Sequence, residues 1–175
     1  MKIDSTTSTS PTRSLALHVP GIGTAHAQLA SVTYPNVAHA RVAFSMKCGA
    51  ASRIMSLMRL QVGVANRAAT FDLYMRPDRF VVDENVIGTP SLGYFDYTIA
   101  SGIKSSMWQR WVLELDATGA AALGIVTIDG VERLRTTLKN SFVRGDFSVL
   151  MGIFYAPDGP AQDVSYDDVS ITILP

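Results

Sequence analysis

Short runs in which apolar and polar residues alternate cover most of the chain, and Gly, Pro, Asn and Asp separate one run from the next. A period of two places neighbouring side chains on opposite faces of a strand, whereas an amphipathic helix repeats its apolar positions about every 3.6 residues. The pattern therefore predicts an all-β protein. The predicted strands are Ser14–Val19, His26–Thr33, Ala38–Lys47, Ile54–Val64, Ala68–Met75, Arg79–Asp83, Gly93–Ile99, Met107–Leu115, Gly124–Ile128, Val131–Leu138, Asp146–Phe154 and Gln162–Ile173.

The alternation also predicts which side chains face the core. In the run 52–62, we expect the even-numbered residues from 54 on to share the core face, namely Ile54, Ser56, Met58, Leu60 and Val62. In the strand 107–115, Trp111, Leu113 and Leu115 share one face, and Glu114 lies on the opposite, solvent-exposed side. The predicted core residues are Leu60, Val62, Leu73, Trp111, Leu113, Leu115, Val126, Ile128, Leu150 and Val169.

Turn residues join several of these strands into hairpins. Asp129-Gly130 separates two β-rich runs. A two-residue type I′ turn needs positive φ at both central residues, which Asp and Gly tolerate well. Pro77-Asp78 separates another pair of runs in the same way. Consecutive antiparallel strands are therefore expected.

Composition favours one folded domain without a nucleic-acid partner. Hydrophobic residues make up 47% of the 175 residues, which is enough for a sizeable core, so we assign residues 14–175 to a single sandwich domain. The Ser/Thr-rich residues 1–13 read as a flexible or linker-like N-terminus, and they lack the apolar stretch of an intact signal peptide. Fifteen basic and fifteen acidic residues cancel, unlike the basic excess of nucleic-acid binders. No run of about 18 apolar residues predicts a transmembrane segment.

The last third of the chain carries a recognisable succession of motifs. "MWQRWVLELDATG", "GIVTIDGVERLRTTL", "FSVLMGIFY" and "VSYDDVSITI" follow one another from Met107 onward. A Trp before a strand, an acidic turn, a "DG" hairpin and a closing aromatic-Asp-Asp-Val strand resemble the concanavalin A-like, laminin-G-like jelly-roll superfamily. The resemblance implies an all-β, antiparallel two-sheet β-sandwich of the jelly-roll type. The galactose-binding-like jelly roll, which also ends in an aspartate-rich strand, is the alternative.

No catalytic residue is predicted. Glu114 and Asp116 share a strand face, as the carboxylates of retaining glycosidases do. The Glu-x-Asp-x-x-Glu pattern of similar laminarinase-type enzymes requires a third carboxylate, but Gly119 stands there. Cys48 is the only cysteine and is expected to be a small buried residue. His18, His26 and His39 show no metal-ligand spacing.

The closing strand contains the one candidate metal site. Asp167 and Asp168 are adjacent, with Asp163 nearby. In similar β-sandwiches an aspartate near the chain ends helps to hold a structural Ca²⁺, an ion that takes six to eight oxygen ligands. Asp167 and Asp168 are therefore the candidate ligands, although no cofactor is required. The competing interpretation is that one aspartate caps a loop and the other is exposed.

Aromatic residues supply the candidate ligand-binding set. Sugars stack on exposed, rigid rings, and Tyr94, Tyr97 and Trp108 are the candidates.

The resemblance implies a non-catalytic binding module of a larger or secreted protein, with a polysaccharide or glycan as the ligand and an extracytoplasmic location. The alternatives are a polysaccharide-degrading hydrolase or lyase of the same fold, and a structural or adhesion domain without a small-molecule ligand. The sequence leaves the oligomeric state open.

Overall fold

The structure of the protein is a computed structural model. It describes residues 2–4, 14–21, 27–30, 33–50, 52–64, 67–87, 94–99, 102–140 and 142–174. These residues form two antiparallel sheets and no helix.

The first sheet contains the two ends of the described chain and its long central strands. In spatial order, its strands are β1 (Lys2–Asp4), β2 (Ser14–Val19), β14 (Gln162–Leu174), β5 (His39–Cys48), β10 (Gln109–Asp116), β11 (Leu123–Ile128) and β12 (Val131–Thr137).

The second sheet is built mainly from three consecutive hairpin-connected strands in the middle of the chain. In spatial order, its strands are β3 (Ala27–Ala30), β13 (Gly145–Ile153), β6 (Met55–Val64), β7 (Arg67–Arg76), β8 (Arg79–Val86) and β9 (Phe95–Thr98), and β4 (Tyr34–Val37) also pairs with β13. This order confirms the predicted all-β, antiparallel two-sheet sandwich.

Two short strands depart from the sequence prediction. Lys2–Asp4, which were expected to be linker-like, pair with Ser14–Ala16 and add β1 to the edge of the first sheet. Tyr34–Val37 form β4, which no alternating pattern had indicated. Residues 5–13, in the remainder of the predicted N-terminal linker, lie outside the described residues. Pairing with a neighbouring strand, rather than local alternation, makes both segments extended.

The core lies between the sheets and is rich in aromatic side chains. Trp111 on β10 is 1% exposed, and its ring centroid lies 5.7 Å from that of Phe80 on the second sheet. The buried Tyr166 on β14 donates a hydrogen bond of 2.8 Å to the Leu57 carbonyl of β6. This bond satisfies the phenol inside the core and links the two sheets.

One glycine sets the close approach of the sheets. A Cβ on Gly124 of β11 would lie 2.5 Å from the Phe71 ring of β7 and 3.0 Å from the Leu138 side chain. Phe71 is fully buried at this point. Glycine is therefore required on β11 so that the phenyl ring can fill the space between the layers.

A β-bulge in β6 corrects the predicted core face of that strand. The register shifts between Ser56 and Met58, so Met55 and Leu57 face the core before the bulge and Met58 and Leu60 face it afterwards. The bulge lets Ser56 accept hydrogen bonds of 2.8 Å from the backbone N–H groups of 154 and 155. The expectation that all the even-numbered residues share the core face is therefore wrong, because one extra residue reverses the alternation.

Three predicted core residues are not fully buried. Val62 is half-buried against the edge of the core. Leu150 lies opposite Arg59 on the outer face of the second sheet, because Val149 takes the inward position on β13. Val169 is 41% exposed, since β14 bulges between Asp167 and Ser170. The other seven predicted core residues are buried, at 4% exposure or less.

The predicted turns are present. Asp129 and Gly130 have φ values of 51° and 79°, as a type I′ turn requires. Asp78 has φ of 78° in the turn between β7 and β8.

A buried arginine holds two loops without a carboxylate partner. Arg53 is 2% exposed, and its Nη1 donates to the carbonyls of Pro20 at 2.7 Å and Pro160 at 3.1 Å. Its Nη2 donates to the Pro157 carbonyl. The guanidinium fork thereby joins the segment after β2 to the segment before β14.

Candidate functional site

A row of charged residues crosses the second sheet. In neighbouring strands, Arg59 of β6 pairs in register with Asp72 of β7, Asp72 with Asp83 of β8, and Asp83 with Asp96 of β9. Along each strand these residues alternate with side chains that face the core, so the row lies on the outer face of the sheet. We call these four residues the charged row.

Arg59 and Asp72 form a bidentate ion pair at one end of the row. Arg59 Nε and Nη2 lie 2.9 and 2.7 Å from the two Asp72 carboxylate oxygens, and Thr70 Oγ1 donates to the same carboxylate at 3.3 Å. Asp72 is only 2% exposed. Burial raises the pKa of Asp72, while the hydrogen bonds and charge of Arg59 oppose that rise. The Arg59 guanidinium also lies 4.3 Å from the centre of the Phe154 ring.

Arg76 organises the other end of the row. Its Nη2 lies 3.3 Å from Asp83 Oδ1 and 3.0 Å from Asp96 Oδ1. The same nitrogen donates to the Tyr94 hydroxyl, and that hydroxyl donates to Asp83. Four polar groups from three strands and one loop therefore fix one another in position.

The two carboxyl groups at this end have opposite pKa shifts. Burial, together with the hydrogen bond to Asp96, raises the pKa of Asp83 to about 7. Burial also acts to raise the pKa of Asp96, but hydrogen bonds with Asp83 and Tyr94 and the charge of Arg76 outweigh it and lower that pKa. Near neutral pH, Asp83 therefore exchanges a proton while Asp96 stays ionised. Asp96 can accept hydrogen bonds from a ligand, whereas the buried Asp83 acts through its bonds to Tyr94 and Arg76.

Aromatic rings flank the charged row. Tyr74 of β7 makes edge contacts with the rings of Phe154 at 5.9 Å and Tyr155 at 6.4 Å between centroids. Tyr94 and Tyr155 remain 53% and 47% exposed. Burial raises the pKa values of Tyr74 and Tyr94 above the usual range, so both phenols stay protonated, and that of Tyr94 donates to Asp83. The face thus combines accessible rings with fixed polar groups.

The structure separates the three aromatics that were predicted to bind a ligand. Tyr94 lies beside the charged row, as described above. Tyr97 faces the opposite side of β9, where its hydroxyl donates to the buried Glu84 at 2.8 Å. Trp108 precedes β10 in the first sheet, with Lys47 Nζ 5.5 Å from the centre of its ring. Only Tyr94 belongs to the outer face of the second sheet, and ligand binding by each of the three stays a prediction.

Glu84 explains why Tyr97 turns inward. The carboxylate is fully buried and accepts a hydrogen bond of 2.9 Å from the Lys139 backbone N–H and another from that of Asn140. Burial raises the pKa of Tyr97 to about 12. Glu84 therefore fixes the segment after β12 to β8, and Tyr97 bonds to the same carboxylate.

The aspartates of β14 do not form a cluster. Asp167 Oδ1 accepts a hydrogen bond of 2.8 Å from the Asp168 backbone N–H, and Asp168 has φ of 50° at the bulge. Asp163 lies farther along the strand, with its Oδ1 2.7 Å from His18 Nδ1. Within the described ranges, no group of three or more His, Cys, Asp or Glu residues is placed to hold a metal ion. Calcium binding by Asp167 and Asp168 stays a prediction.

Glu114 and Asp116 lie on the first sheet, away from the charged row. Glu114 Oε1 lies 2.8 Å from His39 Nε2. Asp116 Oδ1 accepts hydrogen bonds from the Thr118 backbone N–H at 2.9 Å and the Thr118 hydroxyl at 2.6 Å. The second carboxylate therefore caps a turn. Cys48 is buried, as predicted, and burial raises the pKa of its thiol to about 11.

The sequence prediction missed most of the charged row. A signal was present, because Arg59, Asp72 and Asp83 interrupt strands that are otherwise strongly apolar. Charged residues are rarely buried unless they are paired, so each interruption indicated a partner on another strand. The identity of that partner depended on strand register, which the local pattern does not contain.

Solved structures with the same fold include carbohydrate-active proteins. A glycoside hydrolase family 16 endo-glucanase from Bacteroides ovatus has a TM-score of 0.63 at 12% identity, covering 91% of this chain and 81% of that chain. The CBM2 module of the evolved Dit protein from Lactobacillus casei BL23 phage J-1 has a TM-score of 0.58 at 14% identity, covering 82% and 67%. The alginate lyase AlyA1 from Zobellia galactanivorans has a TM-score of 0.52 at 8% identity, and the match spans 82% of this chain and 65% of the lyase.

Neither a protein-family model nor a curated protein sequence matches the chain. No helix among the described residues is long and apolar enough to cross a membrane. At these identities the solved structures show the fold alone, and they confirm the jelly-roll β-sandwich that the sequence predicts.

Proposed function

We propose that the protein is a non-catalytic module that binds a saccharide on the outer face of the second sheet. The observation that carries the proposal is the exposed ring of Tyr94, whose hydroxyl is held by Asp83 and Arg76. A ring fixed in this way offers a flat apolar surface to a pyranose and loses little conformational entropy on binding.

The polar groups beside Tyr94 suit the hydroxyl groups of a sugar. Asp96 is ionised and 36% exposed at its side chain, so it is an accessible acceptor. Tyr155 supplies a second exposed ring near Tyr74. Carbohydrate ligands need this combination of apolar faces and directed hydrogen bonds. The described fold neighbours that bind or cleave polysaccharides support the ligand class by analogy.

A second candidate function is cleavage of a polysaccharide on the same face. The specific observation in its favour is Asp83, whose pKa of about 7 suits a group that donates or accepts a proton at neutral pH. Against it, Tyr94 and Arg76 already occupy the hydrogen-bonding positions of this carboxyl group. The non-catalytic module is therefore the preferred proposal.

Affinity electrophoresis tests the binding proposal. The gels contain mixed-linkage β-glucan, a polymer that bears cello-oligosaccharides, or alginate. We expect retardation in at least one of these gels, and a loss of affinity of about tenfold or more for Tyr94→Ala, since exposed aromatic anchors dominate binding energies. Trp108→Ala, on the other sheet, serves as the matched control and should migrate as the unsubstituted protein does. Retardation that depends on Trp108 and not on Tyr94 would move the site to the first sheet. An absence of retardation in every gel would favour the structural or adhesion alternative.

Product analysis separates binding from cleavage. Incubation of the same polymers with the protein should release no new reducing ends and no unsaturated products. Release that disappears in Asp83→Asn, with the melting temperature preserved, would establish the enzyme alternative. An extracytoplasmic location is part of the proposal, and fractionation of cells that express the complete gene tests it.

A further inference from the structure

The outer face of the first sheet carries a second feature that can bind a ligand. A surface depression of about 350 Å³ lies across β14, β5, β10 and β11. Its lining includes Arg41, Ala43, Arg110, Thr127, Ser170 and Thr172. Among the described residues, no acidic side chain contributes to this lining. We call this feature the two-arginine depression.

The two guanidinium groups are not neutralised. Among the described residues, neither Arg41 nor Arg110 has a carboxylate oxygen within 4 Å. Glu114 lies opposite Arg41 in register, but its Oε1 is bonded to His39. Both arginines are exposed, so their charges are open to a ligand from solvent.

The backbone positions one of these arginines. Arg110 Nη1 donates a hydrogen bond of 2.8 Å to the Asp168 carbonyl, which the bulge in β14 presents to it. A carbonyl orients the guanidinium without cancelling its charge, and the remaining N–H groups stay available for a second acceptor. The bulge therefore orients one of the two guanidinium groups.

The depression has an apolar floor, Ala43 and Val112, with hydroxyl-bearing side chains beside it. Ala43 lies between Val112 and Ser170 in register, so its short side chain leaves room above the sheet. Thr127 and Thr172 present hydroxyl groups that can donate and accept hydrogen bonds, and the Ser170 hydroxyl, which donates to the Ala43 carbonyl at 3.4 Å, can still accept one. These groups complement the hydroxyls of a sugar ring, and the guanidinium forks complement an oxyanion.

We propose that the two-arginine depression binds an acidic saccharide, a sugar that carries a carboxylate or sulfate group. The oxyanion lies between Arg41 and Arg110, and the sugar hydroxyls contact the threonine and serine side chains. The site is on the opposite side of the sandwich from the charged row. It does not depend on the function proposed for that row.

Binding is tested by calorimetric titration of the purified protein at low salt with four probes: trigalacturonate, a sulfated disaccharide, the neutral maltotriose and inorganic sulfate. We expect at least one of the charged saccharides to bind and maltotriose not to bind. Comparison of the two charged saccharides distinguishes a carboxylate from a sulfate. Equal binding of maltotriose would overturn the proposal, and so would binding of inorganic sulfate without binding of either charged saccharide.

Substitutions of Arg41 and Arg110 test whether the two-arginine depression is the binding site. Arg41→Gln/Arg110→Gln should weaken binding of the charged probe by about tenfold or more, because both charges and both forks are lost. Arg41→Lys/Arg110→Lys should be intermediate, since lysine keeps the charge but not the bidentate geometry. Arg135→Gln is the matched control, because Arg135 lies exposed on β12 of the same sheet and is already paired with Glu132 at 2.6 Å.

The same titrations separate this site from the first one. Tyr94→Ala should leave binding of the charged probe unchanged. If affinity survives in the double glutamine variant, or is lost in Tyr94→Ala, the depression is not the binding site. Melting curves of every variant confirm that the domain remains folded.

Discussion

The two outer faces of the sandwich both carry arginines, but they use them differently. On the second sheet, Arg59 and Arg76 each bond to at least one aspartate. On the first sheet, Arg41 and Arg110 have no carboxylate within 4 Å among the described residues, and Arg110 contacts a carbonyl instead. Arg59 and Arg76 are engaged within the protein, where Arg76 orients Tyr94, whereas Arg41 and Arg110 have no ion-pair partner among the described residues.

Strand register, rather than composition, creates this difference. The register places an aspartate directly beside Arg59 and continues the acidic row to β9. On the first sheet, the register places Thr172 on one side of Arg41 and Glu114, which is already bonded to His39, on the other. The two faces therefore differ in what they can do, although the chain as a whole has no net charge.

The largest expected difference between the faces is in stability. Asp72→Ala should lower the free energy of unfolding by about 3–5 kcal/mol, because it leaves the largely buried Arg59 without its partner. Arg41→Ala, at an exposed position, should change it by at most about 0.5 kcal/mol. Urea denaturation of both variants measures the effects. Similar losses would show that the Arg59–Asp72 pair contributes no more than a surface charge.

A smaller effect on the free energy of unfolding should come from Asp83 and should depend on pH. The pKa of Asp83 is about 7 in the folded protein and about 3.9 in an unfolded chain, so its proton favours folding at low pH and that contribution is lost as the pH rises toward and through 7. Asp83→Asn keeps the side chain neutral. Relative to the unsubstituted protein, this variant should gain about 1–3 kcal/mol between pH 5 and pH 8.

Urea denaturation at several pH values measures this gain. Asp96, whose pKa is lowered in part by its hydrogen bond with Asp83, contributes in the opposite sense, and the amide of the asparagine variant can still donate a hydrogen bond to it. Arg41→Gln, on the first sheet, is the control and should show no such trend. A difference that does not change with pH would contradict the raised pKa of Asp83.

The smallest expected effect concerns calcium and the first sheet. Asp167 bonds to the Asp168 backbone and Asp163 to His18, so these carboxylates already have partners within the protein. Melting curves in EDTA and in excess Ca²⁺ should superimpose, with Mg²⁺ as the control. A rise of several degrees with Ca²⁺ alone would instead place a metal site at the β14 bulge.

The sequence predicted the strands well and the bulges poorly. The segment Ser14–Val19 and the Asp129-Gly130 turn appear where local alternation and turn chemistry place them. Leu150 and Val169 were assigned to the wrong environment, because a strand's phase depends on neighbours that are distant in sequence.

The candidate site was predictable only in part. Tyr94 and Asp96 could be placed on one face of a strand from their spacing alone. The pairing of Asp96 with Asp83 and of Asp72 with Arg59 required the order of four strands. A buried charge in a strand signals that it has a partner, but the fold decides which residue that partner is.

The edge strands of the two sheets affect how readily the protein can associate with another chain. Unpaired edge strands can recruit a strand from another chain, and natural proteins protect them with short strands or charged side chains. Here β1 has three residues and β9 has four, so each offers few free backbone groups. The longer edge strand β12 carries Glu132, Arg133 and Arg135 within seven residues. The sandwich thus discourages strand addition at these three edges, so a partner chain does not readily extend either sheet there.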